Sequence, residues 1–211
     1  MKVAFIGLGA MGFPMAGHLA NRGMSVSVFN RTRAKADQWC AKYQGERCDT
    51  PYSAAEGADL VLLCVGNDDD VRSVVYGENG VLNAMAENAI LVDHTTTSAE
   101  LARELNQACI AKNLKFFDAP VSGGQAGAEN GKLTVMLGGD LSDYERIQPA
   151  LDSYSQKHAL MGAAGSGQLT KMVNQICIAG LVQGLSEALH FAQNANLDVP
   201  AVVDVISKGA A

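Results

Sequence analysis

The sequence predicts a doubly wound α/β fold with a mostly parallel sheet, followed by an all-α segment of which only the first helices fall within the 211 residues. Three observations carry this expectation. Short, unbroken apolar runs alternate with helix-permissive stretches as far as Gly162, as expected of strands buried on both faces and joined by crossover helices. Glycines close the first apolar run and open the helix behind it. Beyond Gly162 the alternation stops, and one long apolar stretch of helical character replaces it.

The first strand is Lys2-Val-Ala-Phe-Ile6, and it leads directly into Gly7-Leu8-Gly9-Ala-Met11-Gly12. A bare G-x-G-x-x-G says little, but one that ends a strand and begins a helix has the context of a dinucleotide site. Gly7 suits the tight turn, Gly9 lets backbone approach a pyrophosphate, and Gly12 lets the helix pack closely on the strand. The helix start then offers free N–H groups and a positive dipole end to the phosphates. The expectation is a Rossmann-type domain with Gly7, Leu8, Gly9, Met11 and Gly12 as its cofactor turn. A helix over about 12 to 22 leads to a second strand, Ser25–Phe29, which runs into Asn30-Arg31-Thr32. An NAD-preferring site would place an acid there against the ribose 2′-hydroxyl. An amide, a guanidinium and a hydroxyl suit a 2′-phosphate instead, because arginine presents a planar fork of donors to phosphate oxygens. The cofactor expected is NADP(H), although Thr32 can also cap the helix starting at Arg33.

The remaining elements follow in order. A helix over 33 to 42 precedes a buried strand at Asp59–Val65. Asn67-Asp68-Asp69-Asp70 opens the next helix, and its acids complement the helix dipole rather than forming a metal site. Strands are expected at Ala89–Val92, Leu114–Phe117 and Leu133–Leu137, with a helix between Ser98 and about Ile110. The first domain is set at 1–163 and the second at 164–211. From Gln168 to about Asn194 the chain reads as one helix, apolar around much of its circumference through Leu169, Met172, Val173, Ile176, Leu181, Leu185 and Phe191. Such a helix is expected to be buried in a second, helical domain. Lys171, Asn174, Gln175, Gln183, Glu187 and His190 break the run of about 20 apolar residues that a membrane span needs. A further helix starts at Asp198-Val-Pro200, with proline in its first turn.

Composition narrows the function. A hydrophobic content of 48% with 18% charged residues suits a packed globular chain rather than a disordered one. A net charge of −6 argues against nucleic acid or an anionic membrane as partner. Five cysteines without a C-x-x-C spacing suggest reduced thiols. The chain opens on a strand and glycines rather than a charged segment followed by an apolar one, so the expected location is cytoplasmic. His94, beside the threonines Thr95 to Thr97, is expected to line the cofactor pocket without acting as a base.

Three motifs in order, the glycine turn, Asp118-Ala-Pro-Val-Ser122-Gly123-Gly124, and Gly162-x-x-Gly165-x-Gly167-x-x-x-Lys171-x-x-Asn174-Gln175, resemble the β-hydroxyacid dehydrogenases. That group includes 3-hydroxyisobutyrate dehydrogenase and the semialdehyde reductases, and the resemblance extends over the whole chain. It implies that Lys171 is catalytic, that Ser122, Gly123 and Gly124 cradle the substrate carboxylate, and that Asn174 and Gln175 hydrogen-bond substrate. Val65 and Thr96 would lie beside the nicotinamide half of the cofactor. Members of the group continue through several further helices, so the chain is expected to be either cut short or naturally short at Ala211. Dimerisation through the long helix would then cover its apolar face.

The residue types suit that chemistry independently. Hydride delivery to a carbonyl leaves a developing alkoxide that needs a proton donor or a fixed positive charge, and Lys171 can serve as either. Asn174 and Gln175, three and four positions on, share its helix face. The function expected is an NADPH-dependent reductase of a small semialdehyde or β-hydroxy acid. A 6-phosphogluconate dehydrogenase-like enzyme is a runner-up; it would carry a histidine beside the helix asparagine, where Met172, Val173 and Gln175 stand. An imine reductase of related fold is weaker still, because Lys171 is present. The alternative of another class is a non-catalytic NADP-binding or interaction module.

Overall fold

Val, Ile, Leu and Phe make up the centres of the strands, and their side chains are buried on both faces of the sheet. In the computed structural model, which describes residues 1–209, the strands are β1 (Lys2–Ile6), β2 (Ser25–Phe29), β3 (Glu46–Arg47), β4 (Leu60–Leu63), β5 (Ile90–Asp93), β6 (Lys115–Asp118), β7 (Val121–Ser122), β8 (Leu133–Gly139) and β9 (Ser155–Gly162). The helices are α1 (Gly12–Asn21), α2 (Arg33–Lys42), α3 (Pro51–Ala55), α4 (Asp68–Val75), α5 (Ala99–Ile110), α6 (Gly124–Glu129), α7 (Leu141–Tyr154), α8 (Ser166–Asn194) and α9 (Val199–Ile206).

The sheet order is β3-β2-β1-β4-β5-β6-β8-β7, with β9 paired to β8. Strands β1 to β6 pair in parallel, whereas β8 runs antiparallel to both β6 and β7. The chain winds outward in one direction through β2 and β3, then returns past β1 to β4. The order therefore reverses between β1 and β4, and a crevice opens at the carboxyl ends of those strands. One face of the sheet is covered by α1, α2 and α7 through Met15, Leu19, Trp39, Ile147 and Leu151. The other is covered by α3, α4 and α5 through Ala54, Val71, Val75, Leu101 and Leu105.

The six longer strands through β8 fall where the sequence predicts them, five on apolar runs and β2 on an alternation of serine with apolar residues. Strands β3 and β7 are two-residue pairings with no apolar run. In β9, polar Gln156, Lys157 and His158 break the pattern, because this strand lies at the periphery and has only β8 as a partner. Asn67 caps α4 through Oδ1, which accepts from Asp70 N at 2.9 Å, and Asp198 caps α9 in the same manner.

The chain divides into two compact units, Met1–Lys171 and Met172–Ala211. In the second, the expectation of a buried helix is not met. Val173, Ile176, Leu181 and Phe191 of α8 are between 62% and 72% exposed. The physical reason is that, among the described residues of this unit, only α9 and its connection accompany the later turns of α8, and Ala192 is the only buried apolar residue they produce. No helix among the described residues is long and apolar enough to cross a membrane.

Candidate active site

The glycine turn is shaped by backbone contacts that side chains would break. Gly7 adopts φ +100° and donates its N–H to Phe29 O at 2.8 Å, and a Cβ there would overlap the Cys64 carbonyl. A Cβ on Gly12 would overlap the Gly7 carbonyl, so α1 sits directly on the turn. At Gly9, by contrast, a Cβ would meet no atom within 4 Å. The open space at Gly9, at the start of α1, is a cradle that fits a pyrophosphate. Leu8 is buried in the core and can face a cofactor only through its backbone, whereas Met11 is partly buried and packs against the core.

The next segment braces the turn. Asn30 Oδ1 accepts from Leu8 N at 2.8 Å, while its Nδ2 donates to Thr32 O at 3.0 Å. The Asn30 side chain is thus occupied in holding the glycine turn against the end of β2. Thr32 takes the N-cap position of α2 with an extended backbone but no side-chain capping bond, which leaves its hydroxyl free. A cavity of about 310 Å³ opens here, lined by Gly7, Gly9, Asn30, Arg31, Thr32 and Val65, together with Lys35 and Asp70. Arg31 projects into solvent, with its guanidinium 3.0 Å from Asp70 Oδ1.

A second group of residues is held by buried hydrogen bonds at the ends of β5 and β6. Asp93 and Asp118 are register partners across these strands. Asp118 caps the start of α8, accepting from Gly165 N at 2.7 Å and Gln168 N at 2.8 Å. Burial raises its pKa, and those backbone donors oppose the shift. Asp93 accepts from Thr95 N at 2.9 Å, and burial pushes its carboxyl up to about 7. The Gln168 side chain joins the two regions: Oε1 accepts from Thr97 N at 3.1 Å and Nε2 donates to Thr95 O at 2.7 Å. Thr95 in turn accepts the Val65 N–H at 3.1 Å, and Thr96, between two buried threonines, is exposed.

Lys171 follows Gln168 by three positions on α8. It is 8% exposed and has no hydrogen-bond or ion-pair partner among the described residues. Burial lowers its pKa. Ser122 lies in β7 opposite Thr134 of β8, and Gly123 and Gly124 follow with φ +126° and +60°, exposed at the start of α6. No hydrogen bond among the described residues joins this turn to Lys171. Asn174 and Gln175 belong to the second unit, where Asn174 Nδ2 donates to Gln175 Oε1 at 3.1 Å.

His94 does not line the pocket. It is buried in the core, with Nδ1 2.7 Å from Ala119 O and Nε2 2.9 Å from Tyr154 Oη. Burial lowers its pKa to about 4, so the ring is neutral. Asp70, Lys35, Thr95 and Gln168 are site-lining or site-bracing residues that the motifs did not single out. For Gln168, the one available signal is its place one helical turn before Lys171.

Residues 2–162 match the model of the NAD binding domain of 6-phosphogluconate dehydrogenase, and residues 165–211 match that of the NAD-binding domain of NADP-dependent 3-hydroxyisobutyrate dehydrogenase. The 2-hydroxy-3-oxopropionate reductase of Escherichia coli is 35% identical over 202 residues, a match covering 94% of this chain and 67% of the relative. The chain belongs to the β-hydroxyacid dehydrogenase family. An uncharacterized oxidoreductase of Shewanella frigidimarina is 61% identical, over 100% of this chain and 72% of the relative's length. Among solved structures, the Mycobacterium tuberculosis 3-hydroxyisobutyrate dehydrogenase with L-serine superposes with a TM-score of 0.90 at 31% identity, covering 99% of this chain and 70% of that one. The β-hydroxyacid dehydrogenases are NAD(P)-dependent oxidoreductases of hydroxy acids, and the cradle at Gly9 fits the cofactor that this chemistry uses.

Proposed function

We propose that this chain is an NADPH-dependent reductase, reversible as a dehydrogenase, of a small semialdehyde or β-hydroxy acid carrying a carboxylate, with Lys171 as proton donor. The observation that carries the proposal is Lys171 itself, an amine that is buried and has no partner among the described residues. A structural lysine would be paired or solvated; a buried unpaired one has a perturbed pKa suited to proton transfer.

The reduced nicotinamide, when bound, supplies a hydride to the substrate carbonyl carbon. Lys171 Nζ gives a proton to the carbonyl oxygen as negative charge develops there, and its burial, by disfavouring the ammonium, eases that release. In the oxidative direction the neutral Nζ takes the proton back. The backbone at Gly9 and the start of α1 hold the pyrophosphate, and Arg31, Thr32 and Lys35 address a 2′-phosphate. The Ser122 hydroxyl and the backbone N–H groups of Gly123 and Gly124 receive the substrate carboxylate, with Asn174 and Gln175 as further hydrogen-bonding groups. The exposed apolar side of α8 supports burial against a second copy, giving a cytoplasmic homo-oligomer whose size sedimentation would measure.

The test is the initial rate of NADPH oxidation with glyoxylate and with succinic, methylmalonic and tartronic semialdehydes, with NADH in parallel. Lys171→Met is expected to lower turnover about a thousandfold while leaving the dissociation constant of NADPH within about twofold. A Lys171→Met variant as active as the parent would overturn the assignment. Silence of the parent across the panel, with NADPH still bound, would favour a non-catalytic module.

A further inference from the structure

The ion pair between Arg31 and Asp70 is used by neither the fold nor the proposed chemistry. It joins the end of β2 to the first turn of α4, 39 residues apart, across the mouth of the cavity that holds the glycine turn. The Arg31 side chain is 86% exposed and that of Asp70 is 29% exposed. A pair this open contributes little to stability. Asp70 is nevertheless confined: a Cβ on Gly66 would overlap its Oδ2, so the carboxylate lies against the Gly66 backbone and turns toward Arg31. Asp70 lines the same cavity as Asn30, Arg31, Thr32 and Lys35.

We propose that Asp70 is a specificity-determining residue that restrains affinity for the 2′-phosphorylated cofactor by competing for the Arg31 guanidinium. The inference rests on the NADPH reading above, because it requires that Arg31 serve the 2′-phosphate. A guanidinium presents its donors in one planar fork. With Asp70 on one terminal nitrogen, the 2′-phosphate must share or displace that contact, and it also enters the field of a neighbouring anion. A bound nucleotide excludes water from the pair, so the repulsion is screened less in the complex than in the free protein. A cofactor with a free 2′-hydroxyl makes no such demand on Arg31. The carboxylate therefore narrows the gap between the two cofactors and holds the phosphorylated one loosely enough to exchange. Lys35, a second cation at this cavity, has no carboxylate within ion-pair distance among the described residues and supplies attraction that Asp70 does not cancel.

The test isolates the 2′-phosphate by calorimetric titration of the full chain with 2′,5′-ADP and with ADP. Asp70→Asn is expected to tighten 2′,5′-ADP about threefold or more at low salt, to leave ADP within about twofold, and to lose most of its effect at high salt. In an Arg31→Ala background the same substitution should gain less than about twofold for 2′,5′-ADP. Unchanged or weakened 2′,5′-ADP binding in Asp70→Asn overturns the proposal, and a full gain that persists without Arg31 overturns competition as its cause. A parent chain that binds ADP as tightly as 2′,5′-ADP refutes the NADPH reading instead, while the response to Asp70→Asn still decides the role of the carboxylate. An unchanged melting temperature in Asp70→Asn is expected and shows that the comparison is made on folded protein.

Discussion

Asp93→Asn offers a direct reading of the buried carboxyls at the end of β5. Asp93 is 1% exposed, and burial, with the nearby charges of Asp118 and Asp68, holds its carboxyl near 7 against an ordinary value of 3.8, although Thr95 hydrogen bonds pull it back. The folded chain thus keeps a proton that the unfolded chain releases near 3.8, and stability falls as pH rises between those values. The full differential is about 4 kcal/mol, of which about 3 falls between pH 5 and pH 8. His94 works in the opposite sense. Its folded value of about 4 lies below the ordinary 6.5, so stability falls as pH falls through that interval, and this contribution is the same in the parent and in Asp93→Asn. Asparagine keeps an acceptor for the Thr95 N–H and carries no titrating proton. Urea unfolding at successive pH values, followed through the single tryptophan, Trp39, buried in the core of the first unit, gives both stabilities. The parent should fall behind Asp93→Asn by about 3 kcal/mol from pH 5 to pH 8, while His94 cancels in the difference. A difference that stays flat with pH would refute the burial of an ionisable carboxyl at this position.

Two further substitutions probe the site's framework. Gly12→Ala places a Cβ against the Gly7 carbonyl, which has no free direction to move; a loss of about 2 kcal/mol in unfolding free energy and at least a tenfold weaker NADPH dissociation constant are expected. Gln168→Met leaves Thr97 N and Thr95 O buried without partners, at about 3 kcal/mol by thermal unfolding. In the same variant kcat should fall more than the KM for substrate, since the turn that carries Lys171 loosens; an unchanged kcat would place Gln168 outside the site.

The strands that pack on both faces were legible because a run such as Leu60-Val-Leu-Leu63 has no other reading, whereas β9 was not, because Gln156, Lys157 and His158 share a strand whose pairing is confined to β8. The glycine turn and Asn30 to Thr32 could be located from spacing alone. Their division of labour could not: Asn30 proves to be a brace for Leu8, and only the fold shows that its amide is already engaged. Asp70 reads as one of three acids at a helix start, and nothing local reveals that its partner is Arg31. The apolar pattern of α8 was visible, but pattern reports the wish to be covered and not what covers it. His94 reads as a pocket residue because it stands beside the threonines, but its ring is held in the core by Ala119 O and Tyr154 Oη, partners 25 and 60 residues away that no local pattern reveals.

The two ends of the site differ in how freely they can vary. Arg31, Thr32 and Lys35 stand between the end of β2 and the first turn of α2, Asp70 stands in the first turn of α4, and the side-chain link between Arg31 and Asp70 lies at the solvent boundary. Asp118, Gln168, Thr95 and Thr97 are buried together and tied by two side chains, that of Asp118 to Gln168 N and that of Gln168 to Thr97 N and Thr95 O. Exchange of one rim residue leaves its neighbours in place, so under the proposed function cofactor preference would drift, or be redesigned, one substitution at a time. The buried group admits no such piecemeal change: an altered Gln168 strands two backbone groups at once. If the proposed function holds, a lineage descended from this chain is expected to switch nicotinamide cofactors before it relocates Lys171.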